Sequence, residues 1–173
     1  VEKVAEHWRA QGAPAYVEAY AAGKDGKDKV VGYVFLSTDV VDIAAYSGKP
    51  VVTLIGMDTR GIITGVRVLK HSEPILLAGI PESALLKFIG QYIGQRGDAK
   101  LEIGHGDAST GAVGLDAISG ATVTVIAENQ TISRSAYEIG RQVGIFKRAA
   151  RPPAFRAAAI RGPYRFYTKR VMP

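Results

Sequence analysis

The run VVTLIGMDTRGIITGVRVL, residues 51–69, decides the architecture of this chain. Two stretches rich in β-branched residues, VVTLIGM (51–57) and IITGVRVL (62–69), flank the loop DTRG (58–61). A four-residue loop ending in glycine is a common antiparallel connection, so the run predicts a β-hairpin. Gly56 and Gly65, inside the two strands, predict bulges or the close approach of another group.

Outward from the hairpin the pattern changes period. Upstream, VVGYVFLS (30–37) is short, aromatic and β-branched, and predicts one more strand. AAYSGKP (44–50) has turn chemistry in Ser47, Gly48 and Pro50, and GKDGKDK (23–29) reads as a polar turn. Residues 1–22 predict a helix from the apolar stripe of Val4, Trp8, Ala15 and Tyr16, broken by Gly12 and Pro14. Downstream, IPESALLKFIGQYIG (80–94) predicts a second helix. Pro81 and Glu82 suit its first turn, Leu85, Leu86, Ile89, Tyr92 and Ile93 recur at helical spacing, and Gly94 stops it. Past a glycine-rich passage (104–114) and a further strand, Ile132, Ala136, Ile139, Val143 and Phe146 are spaced four, three, four, three, the face of a last helix. The expected fold is α+β, a twisted antiparallel sheet with packed helices. The expected domain covers residues 1–150, and Pro152-Pro153 separates it from an irregular extension, 151–173.

Composition bounds the rest. At 173 residues and 47% apolar content the chain supports one domain with a real core. No run of eighteen apolar residues exists to span a bilayer. The chain opens at Val1 without a basic-then-apolar leader, as expected of a mature or excised piece, and its start says nothing about targeting. With no cysteine, disulfides and thiolate ligation are excluded within it. His7, His71 and His105 are too scattered to predict a metal site. The net charge of +6 sits at one end: residues 139–173 hold nine Lys or Arg and no acid. Such a tail is either a solvated face or a surface for anionic lipid or an acidic partner. No stacking platform or recognition helix accompanies it, so nucleic acid is not an expected partner.

The most unusual stretch is DAISGATVTV, residues 116–125. It sets small and hydroxyl-bearing residues at the entrance of the last helix, whose start is expected near Thr122. Helix N-termini present unpaired N–H groups and positive dipole charge, and Gly120 and Ala121 admit another molecule close to the backbone. That is the geometry of a phosphate site. Serine and threonine before a helix are also ordinary N-caps, and the residues alone leave both readings open. There is no G-x-x-x-x-G-K-[ST] and no G-x-S-x-G, so neither a P-loop nor a nucleophile elbow is expected.

The motif D-x-x-S-G-A-T, ending at Thr122, resembles the flavinylation motif of FMN-binding domains. These occur in the sodium-translocating NADH:quinone oxidoreductase and in the Rnf complex, within one subunit of each. A second block, YSGKPVVTLIGMDTRGIITGVRVLKHSEP (46–74), resembles the hairpin of the same family. There the chain departs from the family pattern, because His71-Ser72-Glu73-Pro74 lacks a threonine and ILLAG (75–79) replaces a glycine-rich continuation. Over residues 33–146 the chain resembles the periplasmic domain of the NosR family, membrane flavoproteins that support nitrous oxide reductase.

The resemblance implies FMN held as a phosphoester on Thr122, with Thr124 the runner-up, attached by a flavin transferase that uses FAD. It implies that Ser119, Gly120, Ala121 and Val123 shape the turn and that Thr124 helps hold the phosphate. His71 and Glu73 are then candidates for the ring or ribityl edge, and Asp116 for support of the loop or of the transferase. It also implies an electron-transfer domain in the periplasm, tethered to the inner membrane by segments outside this chain. Its partners would be nitrous oxide reductase or its maturation factors. The alternative is a flavin-free module that recruits those partners through its basic tail.

Overall fold

A computed structural model describes residues 15–22, 27–74, 76, 79–107 and 109–147. Four strands form an antiparallel sheet in the order β1-β2-β3-β4: β1 (Val17–Ala22), β2 (Asp28–Leu36), β3 (Val52–Asp58) and β4 (Ile63–Lys70). The hairpin expected at its centre is β3–β4, each strand one residue further along than the sequence suggests. Asp58 fixes its loop: its Oδ1 accepts the N–H groups of Arg60 and Ile62, both at 2.9 Å. Gly61 completes the turn at φ +84°, where a side chain would be strained. Register shifts fall at Val52/Thr53 and at Gly56/Met57, the second at a glycine that predicted it.

Along β3 the inward residues are Thr53, Ile55 and Met57, the two-residue period of a half-buried strand. Onto that face pack α2 (Glu82–Gly90) and the long α3 (Thr122–Gln142), while a single turn, α1 (Ser37–Val40), closes the end of β2. The core joins Phe35, Ile55 and Ile63 of the sheet to Phe88 and Ile89 of α2 and Ile132, Ala136 and Ile139 of α3. Two three-residue strands, β5 (Leu101–Ile103) and β6 (Val113–Leu115), pair in parallel beside α3.

Two expectations are corrected. Of the helix predicted over residues 1–22, residues 1–14 lie outside those described, and Val17–Ala22 is a strand that pairs with β2 along six positions. Alanine-rich VEAYAA has helical propensity, but that is a weak prior, and ladder hydrogen bonds with β2 override it. The second helix ends at Gly90 rather than Ile93. Gln91, Tyr92 and Ile93 continue as turns with bonds to residues three back, and Gly94 reverses the chain at φ +87°. The double proline and most of the basic tail, from Arg148 onward, lie outside the described residues. No described helix is long and apolar enough to cross a membrane.

Candidate functional site

Three segments meet at the mouth of α3: the turn around Ser47, the end of the strand-exit loop at Glu73 and Pro74, and residues 118–124. Small residues bring them together. Ala127 of α3 packs on Ala45 and Val51, which seats the turn against the first coils of the helix. The turn is closed by Ala45 N–H to the Lys49 carbonyl and Gly48 N–H to the Ala45 carbonyl, both 3.0 Å, with Gly48 at φ +75°.

Glu73 bolts the three segments together. It is fully buried. One carboxylate oxygen accepts the Ser47 N–H at 2.9 Å and the other accepts the Thr124 hydroxyl at 2.5 Å. Burial pushes its carboxyl up, but the hydrogen bonds from Thr124, Ser47 and Tyr46 outweigh this and leave it below the usual carboxylate range. Glu73 is therefore an ionised group held by neutral donors.

The helix begins without a side-chain cap. Its N-cap position is Ala121, and no serine or threonine hydroxyl bonds back to the first turn. The capping reading of this stretch is thus set aside. The N–H groups of Thr122, Val123 and Thr124, the orphan donors of the first turn, are left to the site. Before them Ile118 accepts the Ala121 N–H at 3.1 Å around Gly120, which stands at φ +82° with open space where a Cβ would be. An open cleft of about 510 Å³ lies over this mouth, lined by Tyr46, Pro74 and residues 120–124.

Within this cleft the two threonines differ. Thr122 is exposed at the first helical position. Thr124 is 4% exposed and its hydroxyl is committed to Glu73. Gly120, Ala121, Thr122, Val123 and Thr124 line the cleft, and Glu73 joins them from below through Thr124; Ser119, Asp116 and His71 lie elsewhere. Ser119 and Asp116 line a separate cleft of about 230 Å³ on the α2 side. The backbone of Asp116 is clamped by the Gln91 amide, which accepts its N–H at 2.7 Å and donates to its carbonyl at 3.1 Å. His71 lines a third cleft with Leu76, Ile80 and Leu85, and its buried Nδ1 has no partner among the described residues. Glu73 lies beneath the cleft rather than on its wall. Beyond the end of β4, Ser72 is half-buried and Pro74 exposed, while Glu73 between them is buried.

Tyr46 and Pro74 are wall residues that sequence reasoning does not single out. Both lie within the block carrying the hairpin resemblance, yet their approach to residues 120–124 is a contact across the fold. Tyr46, 66% exposed beside the helix mouth, is the signal that the structure adds. An aromatic wall, an apolar Val123 and orphan backbone donors suit a ligand with a flat ring at one end and an anion at the other.

The sequence profile of the FMN-binding domain family matches residues 46–136. The chain belongs to that family. As an FMN-binding domain it is 40% identical, over 120 residues, to regulatory protein NosR of Pseudomonas aeruginosa; the match covers 69% of this chain and 17% of that protein. It is 26% identical over 129 residues to protein NirI of Paracoccus denitrificans, covering 75% of this chain and 18% of the relative. With one subunit of the Na(+)-translocating ferredoxin:NAD(+) oxidoreductase complex of Acetobacterium woodii it shares 27% over 135 residues, 78% of this chain and 61% of that relative. The chain thus spans about a sixth of the length of the NosR relative. The matched interval contains the Tyr46 turn, Glu73 and the mouth of α3.

Proposed function

We propose that this FMN-binding domain carries its flavin covalently, as a phosphoester on Thr122, and serves as an electron-transfer domain. The observation that carries the reading is the contrast at the helix mouth. Thr122 presents a free, exposed hydroxyl beside uncapped N–H groups, while Thr124 is buried and bonded to Glu73. The residues fit the cofactor: backbone donors and positive dipole charge for a phosphate, Gly120 with room for close approach, and an apolar cleft of suitable size.

In the attachment step a flavin transferase passes FMN from FAD to the hydroxyl. The Thr122 Oγ1–P bond forms, the pyrophosphate bond breaks, AMP leaves and the hydroxyl proton is lost to a base. The chain's own part is positional. Glu73 fixes the Ser47 turn and withdraws Thr124 as a competing hydroxyl, and α3 orients Thr122. Once bound, FMN supplies reversible electron storage. A covalent tether keeps it in place where free flavin is dilute and mass action would empty a non-covalent site.

We further infer that the domain belongs to a membrane-anchored periplasmic flavoprotein supporting nitrous oxide reductase or its maturation. Its similarity to NosR supports that placement. Intact-mass analysis of the chain made together with a flavin transferase tests the attachment. An FMN-sized increment is expected on the wild type and on Thr124→Ala, and none on Thr122→Ala. The same increment on Thr122→Ala would defeat the reading.

A further inference from the structure

Behind the site, the inner face of α3 carries a second carboxyl that neither attachment nor cofactor binding uses. Glu128 is 1% exposed. Its Oε1 accepts the Thr53 hydroxyl at 2.5 Å, and its Oε2 is buried with no partner among the described residues. Among the described residues, the elements around it supply no cation. From β3 comes the Thr53 hydroxyl, the one neighbour that favours the charged form. From α1 comes Ser37, whose hydroxyl is already engaged by the Val51 carbonyl and the Thr53 N–H. Past α2 stands Tyr92, a titratable phenol that feels the charge of Glu128 but spends its hydroxyl on Asn129. On β5, Glu102 is paired with Lys100 at 2.9 Å.

An ionised carboxylate in such a place is expensive, and the single Thr53 hydroxyl offsets only part of the cost of burying its charge. Burial pushes its carboxyl up to about 7, the Thr53 hydroxyl opposing. Near neutrality the group therefore exists in both forms. It lies six residues beyond Thr122 on the same helix, about 9 Å along the axis at 1.5 Å per residue.

We propose that Glu128 is a redox-linked protonation site, an acid buried behind the cofactor helix that binds a proton from solvent when an electron reaches the flavin. The inference rests on the flavin reading above. The balance is one electron from a one-electron donor to FMN, and one proton from water to the Glu128 carboxylate, which becomes the neutral acid. The added negative charge on the cofactor drives the uptake. Added negative charge nearby favours the neutral acid, and the low dielectric of the interior strengthens that coupling.

The test is infrared difference spectroscopy of the flavinylated chain, reduced with dithionite against oxidised, near neutral pH. A protonated-carboxyl C=O band is expected on reduction and is expected to vanish in Glu128→Gln. In Thr53→Val, which removes the one donor to the charged form, the wild-type band should persist to higher pH. No band on reduction, or the same band in Glu128→Gln, overturns the proposal. The flavin-free chain separates this outcome from failure of the attachment reading. If mass analysis finds Thr122 bare, that reading falls, and the pH titration of the same carboxyl band then tests the buried acid alone. Ionisation near neutrality supports the site, and ionisation alongside ordinary surface acids overturns it.

Discussion

Glu73 and Glu128 are two buried carboxyls, each held by a threonine hydroxyl, and their surroundings drive them in opposite directions. Glu73 has two donors to its charged form and a lowered native value. Its bonds therefore stabilise the fold above the usual value of 4.5, and that contribution is lost as pH falls through the lowered native one. Glu73→Gln should cost roughly 2–4 kcal/mol at neutral pH and flatten the acid side of the stability curve, measured by urea unfolding across pH. Glu128 has the opposite sign. Between 4.5 and about 7 the folded chain keeps a proton that the unfolded chain has released, so stability falls as pH rises through that window. Glu128→Gln should remove this fall, a gain on the order of 3 kcal/mol by pH 8 in the same unfolding series. At this scale the placing of Thr122 and the small residues before it at a helix mouth was legible, because a motif is local. The work of Glu73 was not legible, since its partners lie 26 and 51 positions away along the chain.

Among the elements, α3 carries most of the construction. Its N-terminus makes the site, its inner face buries Glu128, and its C-terminus is closed by Phe146. That ring sits in a socket of glycines: a Cβ on Gly140 would lie 2.2 Å from it, on Gly61 2.6 Å and on Gly97 3.2 Å. Arg96 covers it at 5.1 Å from the ring centroid and Tyr137 stacks on it at 6.0 Å. Gly140→Ala should destabilise by about 1–3 kcal/mol through overpacking, and Phe146→Leu in the same chain should recover part of the loss, seen as non-additive melting temperatures. The spacing of Ile132, Ala136 and Ile139 made this helix readable, although Val143 and Phe146 of the same series lie past its end at Gln142, where the chain turns at Gly144; alternation and a glycine-ended loop made β3–β4 readable. β5 and β6 gave no such signal. Three residues are too few for a period, and Gly114 is there because a Cβ would meet the Gly104 carbonyl and the Gly106 nitrogen at 2.4 Å. β1 was misread because alanine-rich edge strands look helical until their partner is known.

For the whole molecule, the described core lies between residues 15 and 147, and residues 151–173, six of them basic, lie outside the described residues. A chain ending at residue 150 should melt within about 2 °C of the full chain by circular dichroism and lose most of its retention on a cation exchanger. A large fall in melting temperature would mean that the extension belongs to the fold. The shape of α3 also fixes a length. Its 21 residues run from the Thr122 hydroxyl at one pole toward the Phe146 plug near the other, about 30 Å at 1.5 Å per residue. With a flavin on Thr122 as proposed, the helix would act as a stiff strut that sets the redox group a full helix length from Lys147.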